Sequence, residues 1–406
     1  MGLNHTPQAE RLHISLFGKR NAGKSSLINA ITKQQLAIVS PVKGTTTDPV
    51  YKAMELLPLG PVVLIDTPGL DDEGDLGQLR IQKTYEVLHK TDVALLVIDS
   101  TVGLTKEDLK MQQLLEEQNI PYLIVMNKCD LLSDTQSVLK KDKKLWVSSQ
   151  QGIHIEELKE AIICKAPTEE IKLPLVADLI EPSDFVVLVV PIDKAAPKGR
   201  LILPQQQTIR DILEADATAI VVKEYKLYET LSQLGKKPKL VITDSQVFGK
   251  VAADTPHDIL LTSFSILFAR YKGNLPQFIE GIKALETLPE GARVLIAEGC
   301  THHRQCDDIG SVKLPCWIRE HTGRTLHFDF CSGVSFPEDL SPYQLIVHCG
   351  GCTLTSRSMH YRLKEAQRQG IPITNYGILI AFMQGILKRS LAPFPTLISL
   401  LEEASN

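Results

Sequence analysis

GKRNAGKSSLINAITK, residues 18–33, follows directly on the apolar run RLHISLF at residues 11–17. A strand-length apolar run, a glycine-bearing loop and a helical pattern predict a strand–loop–helix unit. Gly18, Gly23, Lys24 and Ser25 fill every fixed position of GxxxxGK[ST]. The glycines let backbone N–H groups turn toward a phosphate at a helix N-terminus, where the dipole favours an anion. Lys24 brings a point charge to the β- and γ-phosphates, Ser25 offers its hydroxyl to Mg²⁺, and Ser26 stands beside it. The bland alternative is a glycine-rich turn with no ligand. The motifs further along the chain argue against it.

VVLIDTPGL (62–70) is a second buried run, ending in DTPG. Asp66 can hold Mg²⁺ through water, and Gly69 can meet the γ-phosphate. YLIVMNKCDLL (122–132) ends in NKCD, which contributes Asn127, Lys128 and Asp130. The Asp130 carboxylate can accept from guanine N1 and N2. Adenine lacks that donor pair and would leave the carboxylate buried and unpaired. LWVSSQQG (145–152) supplies Ser148 and Ser149 where the last guanine loop belongs. Ordered motifs at the ends of alternating strands specify an α/β domain that takes GTP rather than ATP.

These segments, together with KGTTTDP (43–49), resemble the TrmE–Era–EngA group of GTPases. The resemblance implies that Thr46 is the switch threonine sensing the γ-phosphate and Mg²⁺, the catalytic companion of Lys24. It also implies that Asn21 helps hold K⁺, as in the potassium-activated members. The residue after DTPG is Leu70, where Ras-like enzymes carry the glutamine that orients water. Leucine cannot do so by hydrogen bonding, so hydrolysis is expected to be slow. K⁺, a partner or a second copy would supply the missing charge stabilisation.

The whole chain, 406 residues with 43% hydrophobic and 23% charged residues, has length for two to three domains. A net charge of −4 gives no electrostatic reason to expect nucleic acid or an anionic membrane as partner. No apolar run reaches the roughly 18 residues of a membrane span, and the N-terminal stretch lacks a signal-peptide apolar region. A cytoplasmic location with reduced cysteines is therefore expected. Six of the eight cysteines fall between Cys300 and Cys352, a clustering that hints at metal.

Three consecutive α/β domains are expected, at 8–168, 175–270 and 275–406. In the middle one FVVLVVPI (185–192), TAIVVK (218–223) and KLVITD (239–244) read as core strands with helices between them. It carries no catalytic motif, only a basic loop at 191–204. A small domain of that kind serves packing or self-association. In the third, ARVLIAEGCTHH (292–303) and YQLIVHCGGCT (343–353) are strands running into cysteines, with LHFDF (326–330) as a third strand. Strand–helix alternation implies a mainly parallel sheet, so Cys300, Cys349 and Cys352 converge at one sheet edge. Such a set admits an iron–sulfur cluster, a zinc site completed by His302 or His348, or a redox pair. Cys316 and Cys331 read as small core residues, and Cys306 as a possible further ligand.

Cys300-Thr301-His302, then 45 residues, then His348-Cys349-Gly350-Gly351-Cys352 resembles the CxH…HCxxC signature of the HydF family, and the likeness extends over the chain. The resemblance implies a GTPase, a small dimerisation domain and a cluster domain in that order. Cys300, Cys349 and Cys352 would bind a 4Fe–4S cluster, with His302 and His348 near it. It further implies a homodimer or higher oligomer. The protein would act as scaffold and carrier between radical-SAM hydrogenase maturases and apo FeFe-hydrogenase. Two other classes stand beside this: a GTPase of tRNA modification or ribosome assembly, and a zinc- or redox-sensing GTPase.

Overall fold

The computed structural model describes residues 6–33, 49–69, 83–132, 144–167, 173–191, 201–300 and 308–402. Thr46, Leu70, His302, Cys306 and most of the basic loop at 191–204 lie outside these residues. The chain divides into two compact units, Met1–Glu170 and Ile171–Asn406.

The first unit holds β1 (Leu12–Phe17), β2 (Val50–Leu56), β3 (Gly60–Asp66), β4 (Val93–Asp99), β5 (Tyr122–Asn127) and β6 (Leu145–Trp146). Their order is β2-β3-β1-β4-β5-β6, parallel except for the β2–β3 pair. Alternate side chains enter different cores: Ile14, Leu16, Leu64 and Val97 on one face, Phe17, Ile65, Leu96 and Ile98 on the other. Both faces of β3 and β4 are buried, which is why these strands read as unbroken apolar runs rather than as alternation.

The second unit holds two four-stranded parallel sheets. One orders β7 (Phe185–Val189), β8 (Thr218–Val222), β9 (Leu240–Thr243) and β10 (Leu260–Ser263) as β10-β9-β7-β8. The other orders β11 (Arg293–Glu298), β12 (His327–Ser332), β13 (Leu345–His348) and β14 (Ile373–Asn375) as β12-β11-β13-β14. The two sheets share one continuous core, running from Leu175 to Phe394. The helices Phe264–Lys272 and Leu275–Ile282 lie between them in sequence and fill it with Phe268 and Phe278, both almost fully buried. Gly281 lets the second helix sit directly on β14: a Cβ there would come 1.9 Å from the Ile373 carbonyl oxygen. The expected boundary at 270–275 therefore cuts through a shared core.

Three readings of single elements change. Thr218–Val222 is an edge strand with exposed and half-exposed residues, not a core strand. Cys316 is exposed, its Sγ 3.4 Å from Glu320 Oε1, because its helix turns Leu314, Pro315 and Ile318 inward instead. Cys331 lies within β12 rather than after it and is only partly buried.

Candidate functional site

In the first unit the loop after β1 leads to the helix Lys24–Thr32. Gly23 takes φ +89°, and a Cβ on it would lie 2.2 Å from Asn127 Nδ2, so only glycine fits. Asn21 also has positive φ, 62°, a conformation asparagine tolerates. Asn127, at the end of β5, ties the loops together. Its Nδ2 donates to the Ala22 carbonyl at 2.9 Å, and its Oδ1 accepts from Ser149 N at 3.1 Å. Lys24 Nζ donates to the carbonyls of Gly18 and Lys19, each at 2.8 Å.

Ser25 Oγ donates to Asp66 Oδ2, joining the helix start to the end of β3. Burial raises the Asp66 pKa, opposed by the Ser25 bond and by the charges of Lys24 and Lys52. Thr67 and Gly69 follow directly beyond that strand. Lys128 pairs with Asp99, a residue that no nucleotide motif singles out. Ser148 is fully buried and accepts from Gln151 N at 3.1 Å, closing the turn that presents Ser149. A cavity of about 440 Å³ opens here, lined by Gly23, Ser26, Asn127, Lys128, Asp130 and Ser149 among others. Asp130 Oδ1 is buried and has no hydrogen-bond partner among the described residues.

In the second unit β11 and β13 are parallel neighbours, with Ala297 opposite His348, so Cys300 and the CGGC turn leave the same sheet edge together. The N–H groups of Gly299 and Gly351 reach Cys349 Sγ at 3.0 and 3.3 Å. Burial, then the nearby Cys349 and Cys352, pushes the Cys300 thiol up to about 12. Burial, then Cys349, does the same to Cys352. Cys349 is raised by burial against the opposing glycine N–H bonds. Burial thus raises all three thiols at one edge, and a bound metal cation would favour their thiolate forms.

Residues outside every motif frame this edge. Lys272, fully buried, donates to the Cys352 and Leu354 carbonyls at 2.9 and 2.8 Å. The Glu298 carboxylate accepts from Tyr376 OH at 3.2 Å. Asn375 caps the helix Tyr376–Met383 and takes a hydrogen bond from Ser265 Oγ at 3.0 Å. Nothing in a single-residue pattern points to these; only the shared core brings them in.

Among the described residues no group of three or more His, Cys, Asp and Glu side chains is arranged to hold a metal ion. A polynuclear cluster offers each thiolate its own iron, so its ligands need not crowd around one ion. Three soft donors at one edge, with backbone N–H groups aimed at a sulfur, fit such a cluster better than a single zinc.

Fold and cleft define a P-loop GTPase that takes GTP with Mg²⁺, joined to a two-sheet α/β unit. Family models match a 50S ribosome-binding GTPase at residues 13–128, a hydrogen maturase F dimerization domain at 175–273 and a hydrogen maturase F tetramerization domain at 276–393. The two hydrogen maturase F models together span more than half of the chain, and the protein belongs to the HydF family of GTPases. Its dimerization and tetramerization domains mark it as a homo-oligomer.

The tRNA modification GTPase MnmE of Desulforamulus reducens is 32% identical over 38% of this chain and 34% of its own length. GTPase Der of Kosmotoga olearia is 26% identical over 55% of each. The chain thus spans about a third to just over half of these relatives. Era of Aquifex aeolicus, solved with GDP and aluminium fluoride, covers 55% of this chain and 98% of its own at 20% identity and TM-score 0.35. Among the described residues no helix is long and apolar enough to cross a membrane.

Proposed function

We propose that the protein is a cytoplasmic GTP-driven scaffold that carries a 4Fe–4S cluster on Cys300, Cys349 and Cys352 and passes a di-iron precursor to apo FeFe-hydrogenase. The observation that carries this reading is the convergence of Cys300 and the CGGC turn at the ends of β11 and β13, in a chain of this family. The precursor, a substrate here, would come from radical-SAM hydrogenase maturases. Residues 8–168 form the switch, 175–270 the self-association domain and 275–406 the cluster domain. When bound, the cluster would supply an iron with an open position at which the precursor can sit.

In the switch, Gly18, Gly23 and Ser26 cradle phosphate with Lys24 as point charge, and Ser25, Thr46 and Asp66 hold Mg²⁺. Gly69 senses the γ-phosphate. Asn127, Lys128, Asp130, Ser148 and Ser149 grip guanine, and the buried, partnerless Asp130 Oδ1 supports that assignment. Asn21 holds K⁺, which offsets the lack of a water-orienting glutamine at Leu70, so turnover is slow and K⁺-stimulated.

Anaerobic EPR of dithionite-reduced protein, with iron and sulfide assays, tests the cluster reading. A reduced 4Fe–4S signal at near-stoichiometric iron, lost in Cys349→Ser, is expected. Protein that takes up no iron on reconstitution would end it and return the thiols to zinc or redox duty.

A further inference from the structure

Arg362, on the helix Ser356–Arg368, is 2% exposed. Its Nη2 donates to the Gly333 carbonyl at 2.5 Å, its guanidinium lies 5.0 Å from the Phe336 ring centre, and Nη1 is 2.8 Å from His348 Nε2. Among the described residues the ionisable groups acting on it are Cys331, Cys349 and Tyr361, none of them a carboxylate. A guanidinium stays charged, and burying it without an anion is costly. The groups that can furnish negative charge here are the two thiols and the Tyr361 phenol, and Cys349 belongs to the cysteine site itself.

The hydrogen-bond chain fixes more than charge. A guanidinium only donates, so His348 Nε2 must be the acceptor. Nδ1 then carries the proton and donates to the Cys349 carbonyl oxygen at 2.7 Å. His348 is fully buried, and both of its ring nitrogens are committed. No lone pair is left for a metal.

We infer that Arg362 is a positioning residue and fixed counter-charge for the cysteine site: through His348 it sets the HCGGC turn, and its guanidinium offsets the negative charge of the thiolate-bound cluster. His348 is accordingly a strut and not a ligand. This rests on the cluster reading above. A positive charge nearby favours the reduced state, so its removal lowers the reduction potential.

The test uses the full-length chain, reconstituted anaerobically with iron and sulfide, as wild type, Arg362→Gln and Arg362→Lys. EPR-monitored redox titration should give Arg362→Gln a more negative midpoint than wild type, with Arg362→Lys recovering most of the shift. Pulsed EPR of the wild type should lack the ¹⁴N coupling of a directly bound imidazole. An unchanged midpoint in Arg362→Gln at wild-type iron content overturns the counter-charge. So does loss of iron in both variants, since charge retention would then have rescued nothing. Strong ¹⁴N coupling that disappears in His348→Gln overturns the strut. Wild type that holds no cluster removes the underlying reading and this inference with it, an outcome separate from all of the variant results.

Discussion

Asp130 Oδ1 is buried with no hydrogen-bond partner among the described residues. Leaving Oδ1 buried and unbonded costs about 1–3 kcal/mol, which guanine N–H donors would recover. Asp130→Asn turns an acceptor into a donor facing those N–H groups. GTP affinity should fall about a hundredfold or more, while xanthosine triphosphate, with a carbonyl at position 2, should bind better to the variant than to wild type. Titration with fluorescent analogues of both nucleotides checks this.

His13 on β1 makes a second prediction at this scale. Burial, with the Lys90 charge adding and the Arg11 carbonyl bond opposing, lowers its pKa from 6.5 to about 4. The unfolded chain then binds more protons than the folded one between those values. The stability associated with neutral His13 is whole above pH 6.5 and is lost as pH falls toward 4. The loss is about 3 kcal/mol for such a shift. Urea denaturation of the wild type should show that acid-side loss, and His13→Gln should lack most of it.

Among the elements, the helix Leu275–Ile282 sits directly against β14 with no room for a Cβ at Gly281. Gly281→Ala would drive a Cβ into the Ile373 carbonyl and must push the helix off the strand. Destabilisation of the second unit by about 2–4 kcal/mol is expected. Thermal unfolding should show it, with GTP binding unchanged. The strand concerned is invisible in the sequence. Ile373–Asn375 is three residues long and follows Pro372, too short for any period to register. The apolar strands β4, β5, β7 and β13 are legible because each lies within a continuous apolar run of sequence. The residues proposed to hold nucleotide can be read from the chain because phosphate and guanine recognition would fix residue types at short spacing. The convergence of Cys300 with the CGGC pair is legible because each follows an apolar strand, and the two strands are parallel neighbours. Arg362, Lys272 and Asn375 are not: Lys272 reaches the cysteine edge from far along the chain, and no local motif marks Arg362 or Asn375 as turned toward it. Cys316 misleads because a helix flanked by apolar residues still turns one side to water.

Across the molecule, sequence modules and physical units do not coincide. Gly350 packs on Ser265 and Phe268, and Lys272 holds the Cys352 carbonyl, so the helix Phe264–Lys272 is a wall of the cysteine edge. A fragment of residues 275–406 should therefore bind dye to exposed apolar surface and take up little iron, whereas 171–406 should do neither abnormally. Fluorescence with an apolar dye and iron assay of the two fragments decide it. The shared core also bears on how the protein is made. Its strands are parallel and pair across long separations, which slows folding. β14, next to the β13 strand that runs into the CGGC turn, is the last strand in chain order among the described residues. The GTPase unit can close while the rest is still being synthesised, but the second unit waits roughly 10–50 s for its last strand to leave the ribosome. Through that interval its apolar strands stand open and its thiols unshielded, so the cysteine edge gains its full shelter only once β14 has joined β13.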